Sequence, residues 1–352
     1  MAAALWLAMV LQVSACGEVW GEPVVAAPRE ATGGEGGANN QGSGGQGGGS
    51  GCPDAVIGFA SLANGTIGGK GGQRVLASTE AELRDYAARA EALEIYVAST
   101  LELTEVVPVA SNKSVIGVGT RGILTGAGLL LDKSVNVIIR NLTIARAAED
   151  AIELRTASRV WIDHCELYSD IDDPDDQFDG LIDVNRASDY VTVSWTHLHD
   201  HDDVSLIGHS EENAEQDRGH LTVSLHHNWF RRTVSANPRV RFGRVHLFNN
   251  LFQKIEDHAV ISESEARVLV EANAFEDVAT PATSDHVDAV NGSLTFARNL
   301  VAADCGKNGP LTPVTDWTPE YVYSTDDPGA LRSLVSKCAG VGNIFDPGAP
   351  TK

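Results

Sequence analysis

Short runs in which apolar and polar positions alternate recur through the middle of the chain, and most end in a polar residue. VIIR leads into Asn141 within NVIIRNLTI, and RVWIDHCEL sets His164 at the corresponding place. YVTVSWTHL gives Thr196, HLTVSLHHNWF gives Asn228, RVHLFNNLF gives Asn250, RVLVEANAF gives Asn273 and SLTFARNLV gives Asn299. Successive separations are 23, 32, 32, 22, 23 and 26 residues. The runs are rich in β-branched residues, and their period-two alternation reads as strand. Strands that return every 22 or so residues, with little helix between them, predict an all-β chain wound as a right-handed parallel β-helix. Each coil would stack on its neighbour and bury a shared core. The recurring polar residues are expected to stack at equivalent corners, their amides satisfying the turn backbone. The two 32-residue intervals read as coils with long loops. A β-sandwich is the alternative, but its strands do not generate a ladder of this period.

One helix is legible upstream. TEAELRDYAARAEA has Thr79 or a neighbour as cap and Leu83, Tyr86 and Ala87 at helical spacing, so a short capping helix is expected at one end of the solenoid. The first sixteen residues, MAAALWLAMVLQVSAC, are apolar and end in small residues before Cys16. They are too short to span a bilayer and read as a signal peptide, although the usual positive start is missing. LQVSAC resembles a bacterial lipoprotein cleavage site, which would place a lipid on Cys16 and the protein at the cell surface or outer membrane. Ordinary secretion without a lipid is the alternative. Residues 17–51 include GGEGGANNQGSGGQGGGSG, which has no side chains to build a core and reads as a flexible linker. Residues 52–352 are left as one folded domain, expected to be monomeric.

Charge narrows the partners. The formal net charge of −22 argues against nucleic acid, whose phosphates need a basic face. It also disfavours an anionic substrate unless a cation or a local arginine cluster overrides the global field. Such a cluster exists: Arg231, Arg232, Arg239, Arg241 and Arg244 lie in and around TVSANPRVRFG. Four cysteines fall in the expected domain, which export permits to form disulfides. Cys305 and Cys338 lie in late, loop-like stretches and are the expected pair, while Cys165 sits in an apolar run and is expected as a buried free thiol.

VWIDHCEL, DGLIDVNRASDYVTVSW, HDHDDVSLIGHS, LHHNWF and NPRVRFGRVHLFNN together resemble the pectate lyase superfamily, in particular the extracellular bacterial and plant pectate lyases. VIGFASLANGTIGGKGG is similar to the start of their mature domains, and the resemblance covers about Ala55 to Thr280. It implies a parallel β-helix, calcium and β-elimination on polygalacturonate. In such chemistry the proton on C5 is very weakly acidic, because the carbanion forms beside a carboxylate. A calcium ion neutralises that carboxylate, an arginine takes the proton and a lysine binds substrate. The resemblance assigns calcium to Asp150, Asp179 and Asp183, the last two being the four-apart pair of DGLID. Asp170, Asp172, Asp173, Asp175 and Asp176 read instead as a solvated or calcium-attracting loop rather than a second defined site. His199, His201 and His209 look like a metal cluster, but similar stretches in the family carry no transition metal. They are expected to make hydrogen bonds within the coil stack, as are His226 and His227. Trp161 and its neighbours are expected to pack rather than react.

Two positions depart from the family pattern. It reads Arg, any residue, Pro, any two residues, Arg. Pro238 and Arg241 fit, but the first position, that of the catalytic arginine, is Ala236. The family lysine falls twenty residues after Asp183, where this chain has Asp203. Arg241 alone remains of the three substrate-site cations. Loss of a general base typically costs about 10²–10⁴-fold in rate. Arg239 is expected to point away from the neighbours of Arg241, and Arg232 would need a rearranged turn to substitute. Three readings stay open: a calcium-assisted pectate lyase-like enzyme with an altered site; a calcium-dependent module that binds acidic polysaccharide without cleaving it; and a β-helix hydrolase with paired carboxylates, whose family motifs the chain does not match.

Overall fold

The computed structural model describes residues 52–172, 178–285, 290–314, 316–344 and 350. The expected signal segment, Cys16, the glycine-rich tract and Asp173, Asp175 and Asp176 lie outside the described residues.

Ten parallel strands, from Gln73–Ala77 to Ser293–Ala297, form one face of a β-solenoid. The other two faces are limbs of a second sheet. One limb runs through Thr143–Ala147, Glu166–Tyr168, His197–Asp203 and Trp229–Ser235. The other runs through Leu129–Asp132, Ile152–Arg155, Ile182–Asn185, Leu206–Ile207 and Arg239–Arg241. The long strand Leu251–Glu263 pairs with both limbs and joins them. The solenoid expected from the sequence is thus present, with about ten turns.

Alternation places one apolar set inside each coil, and parallel register stacks like on like. Phe230, Phe252 and Phe275, 22 and 23 residues apart, form a face-to-face column with centroids 4.7 and 4.6 Å apart. The polar ladder is also present, with one correction. Asn228, Asn250, Asn273 and Asn299 are stacked, each Oδ1 accepting from the backbone N–H of the ladder residue below, at 2.8–2.9 Å between asparagines. Thr196 N–H donates to Asn228 Oδ1 at 3.0 Å, and Cys165 N–H donates to Thr196 Oγ1. Asn141 and His164 are one residue out of this column. They share instead the preceding corner position with Trp195, His227, Asn249, Ala272 and Arg298, all left-handed at φ 49–58°. Alignment by the last polar residue of each run merged two adjacent columns.

The helix Glu80–Ala88 lies against the first coils, as expected. Thr79 accepts from Glu82 N–H, Glu82 accepts from Ser78 N–H, and Leu83 and Ala87 are buried. The N-terminal residues run as a strap on the ten-stranded face: Phe59 N–H donates to Ser224 Oγ, Ala60 N–H to Thr192 Oγ1 and Gly69 N–H to Ser114 Oγ. The cysteine pairing differs from expectation. Cys338 is bonded to Cys52, while Cys305 is a half-buried free thiol. Helix Leu331–Cys338 packs on Leu251 and Trp229, and the start of the strap meets its end there; Cys305 follows the final coil elsewhere. Cys165 is a buried free thiol, as expected.

Candidate functional site

The oxygen cluster expected from DGLID is assembled from two coils. Ile152 pairs with Ile182 in parallel register, so the turn holding Asp150 lies beside Gly180. A Cβ on Gly180 would stand 2.5 Å from Asp150 Oδ1 and 3.1 Å from Asp183 Oδ1. The missing side chain is what lets the two carboxylates converge. Asp150 and Asp183 are buried, whereas Asp179 is exposed at the rim. Asp183 Oδ1 accepts from Leu206 N–H at 2.9 Å. Asp150 Oδ1 is buried without a hydrogen-bond partner, an orphan acceptor aimed into the cluster. Burial, with Asp183 and Asp179 close by, pushes the Asp150 carboxyl up to about 9. Burial pushes Asp183 to about 7 despite the Leu206 and Asn185 donors. Two buried acids that resist ionising together, one with an unmet oxygen, fit a hard divalent cation, which takes carboxylate oxygens. Sequence reading missed Glu153. It stands opposite Asp183 in register, adds to the negative field on both aspartates and is ion-paired with Arg155. Nothing in its local sequence marks it; only the 30-residue register does.

Arg241 lies on the same limb. Leu206 pairs with Arg239, and Ile207 pairs with both Val184 and Val240, so Asp183 and Arg239 share one line two strand spacings apart, about 10 Å. Arg239 does not point away from the neighbours of Arg241. Residues two apart in a strand share a face, and both guanidiniums reach the fully buried Glu263: Nε of Arg239 at 2.7 Å and Nε of Arg241 at 2.7 Å. Two guanidiniums thus converge on one carboxylate. Arg241 Nη1 also donates to Gly208 O at 3.0 Å. Gly208 has φ 86°, and a Cβ there would meet Arg241 O at 2.7 Å, so the close approach requires glycine. Burial pulls the Arg241 guanidinium below its ordinary value, and Glu263 opposes this.

Ala236 is the buried, left-handed residue (φ 54°) that turns Trp229–Ser235 into Asn237, and its carbonyl accepts from Ser205 N–H. Asp203 is exposed and pairs in register with Ser235. Both departures from the family pattern therefore occupy adjacent coils at one corner. Arg232 is held away from that corner, Nη1 lying 2.9 Å from Asp200 Oδ1.

The histidines divide. His201 hydrogen bonds Asp179 O through Nε2 at 3.1 Å and so steadies the rim of the carboxylate cluster. His226 and His227 are buried and bonded to each other, and His227 Nε2 reaches Asp326 at 2.8 Å. These three act within the coil stack, as expected. His209 follows Gly208, beside Arg241, and His199 lies apart from both, next to Glu166 and His197. Trp161 packs as expected: its indole donates to Ser194 Oγ at 2.9 Å and Arg140 lies over its ring.

A family profile described as pectate lyase matches residues 14–344. A pectate trisaccharide-lyase of Bacillus licheniformis is 37% identical over 303 residues, covering 82% of this chain and 87% of that protein. Pectate lyase A of Aspergillus niger is 41% identical over 228 residues, 64% of this chain and 70% of that protein. Among solved structures, a pectate lyase from Bacillus sp. N165 in complex with trigalacturonate has a TM-score of 0.75 at 32% identity, covering 83% of this chain and 100% of that one.

Proposed function

Because the chain belongs to the pectate lyase family, we propose that it is an exported lyase that cleaves polygalacturonate by calcium-assisted β-elimination, slowed by its own active-site substitutions. The observation that carries the calcium reading is the convergence of Asp150 and Asp183 across Gly180, with Asp150 Oδ1 unpartnered. Asp150, Asp179 and Asp183 would hold the ion. When bound, it supplies charge neutralisation and electrophilic assistance at the uronate carboxylate.

The remaining work falls to the chain. Arg241, held beside Arg239 by Glu263, offers its guanidinium to a second uronate and orients it by charge-assisted hydrogen bonds. Ala236 has only a methyl group and cannot accept the C5 proton. The side chain that would do so is missing, and a general base is worth about 10²–10⁴-fold. Asp203 repels a carboxylate where a cation would attract it.

The burial of Ala236, which leaves no ionisable group at that corner residue, favours a second reading: a calcium-dependent module that binds acidic polysaccharide without cleaving it. The two are separated by incubating the protein with polygalacturonate and calcium at alkaline pH and following the absorbance of the unsaturated product. Product at a rate above that of Asp183→Ala supports the lyase. Calcium-dependent retention on pectate without product supports the module.

A further inference from the structure

We propose that Glu166, His197 and His199 form a second metal site, for a divalent transition ion of the zinc class. Strands Glu166–Tyr168 and His197–Asp203 are neighbours, with Glu166 opposite His197 and Tyr168 opposite His199. Leu167 and Leu198 point into the core, so alternation brings Glu166, His197 and His199 to one outer face. One donor atom from each lies within 4.8 Å of the others.

The separations discriminate between an ion site and a simple hydrogen-bonded trio. Glu166 Oε1 is 3.8 Å from His197 Nδ1 and 3.5 Å from His199 Nε2. Both exceed the 2.7–3.2 Å of a normal N–H···O bond. Tetrahedral zinc with bonds of about 2.0–2.2 Å sets its ligand atoms about 3.3 Å apart. Both separations from Glu166 are thus close to what a shared ion imposes.

The surroundings orient the donors. Asp200 Oδ2 lies 2.6 Å from His199 Nδ1 and accepts its N–H, which leaves the Nε2 lone pair free for a ligand bond toward Glu166. His199 Nε2 is buried and has no hydrogen-bond partner. Asp200 is itself held by Arg232. The His197 ring is clamped between Trp229 and His199, with centroids at 4.3 and 4.1 Å, and Tyr168 stacks on His199 at 4.8 Å. Both imidazoles are 13% exposed and Glu166 31%, so solvent reaches the carboxylate side and can supply the fourth ligand.

Two nitrogens and one oxygen suit zinc, whereas the all-oxygen cluster at Gly180 suits calcium. The site would tie two adjacent coils together on the face away from Arg241.

The test uses the full chain, stripped with chelator and kept in excess calcium so that the oxygen cluster is saturated. Titration with zinc chloride in a calorimeter should show one ion bound per chain. His199→Ala and Glu166→Gln should weaken it at least tenfold, and Asp200→Asn by about 10–100-fold, the usual effect of losing a partner that orients a ligand. Asp183→Ala should leave zinc binding unchanged while removing the response to calcium, so failure of one site is visible apart from the other. If His199→Ala does not fold by circular dichroism, the near-isosteric Glu166→Gln decides. No zinc uptake by the wild type, or equal uptake by the wild type and Glu166→Gln, overturns the proposal.

Discussion

Asp203 stands opposite Ser235 in parallel register, one residue short of Ala236. The two positions that depart from the family pattern are therefore physical neighbours across one coil boundary. Replacing both should act on a single transition state. Asp203→Lys turns repulsion of a uronate into attraction, and Ala236→Arg restores a base candidate. The double variant is expected to form unsaturated product from polygalacturonate at least about tenfold faster than wild type, the lower side of what a general base contributes. The gain should exceed the product of the two single gains, since contacting residues couple. A wild type as fast as the double variant would mean that deprotonation is done elsewhere.

Calcium should raise the melting temperature, and Asp183→Ala should abolish that rise. The pH dependence follows from the raised carboxyls of Asp150, near 9, and Asp183, near 7. In metal-free protein these groups bind more protons folded than unfolded between about pH 4 and those values, so stability falls as pH rises through that window. The metal-free protein should melt at least about 2 °C lower at pH 9 than at pH 5, what about 1 kcal/mol does in a domain of this size. Calcium should shrink that gap, because it replaces the protons. Melting curves at both pH values with chelator or calcium check this, and a metal-free protein more stable at pH 9 would contradict the cluster.

Asn250→Ala should test the ladder. Asn250 Oδ1 accepts from Asn228 N–H and Nδ2–H at 2.9 and 3.1 Å, and its own Nδ2 donates to Leu225 O and Asn273 Oδ1, each at 2.9 Å. All four contacts are buried, and an unsatisfied buried group costs about 1–3 kcal/mol. A melting temperature lowered by at least about 4 °C is expected. A change under about 1 °C would remove the ladder from any account of stability.

The lipid expectation is checked by fractionation. Wild type produced in a bacterial host should sediment with membranes, and Cys16→Ala should release it. More than one acyl chain is needed for firm anchoring, as lipoproteins provide. Wild type wholly soluble would contradict lipidation.

What could be read from the sequence was what repeats along it. The 22- and 23-residue spacing of Asn228, Asn250 and Asn273 marked the coils because the same residue type recurs where the same backbone groups need satisfying. Where the residue type changed, the reading slipped: Asn141 and His164 sit in the left-handed corner column, one place before the ladder. Arg239 and Arg241 are two apart and share Glu263, a partner 22 residues past Arg241 that no local pattern announces. Glu153 opposite Asp183 and Glu166 opposite His197 were hidden for the same reason. Their pairing depends on loops of unequal length, so only the register of the folded coils brings them together.

The bond between Cys52 and Cys338 joins residues 286 apart and decides how the domain responds to pulling. Tension on residues before Cys52 would otherwise peel the N-terminal strap from the ten-stranded face one hydrogen bond at a time, from Phe59 onward. The covalent link offers a second route, into helix Leu331–Cys338 and the coils on which it packs. Force is then shared between the strap and that helix, so the strap's hydrogen bonds no longer bear it one at a time.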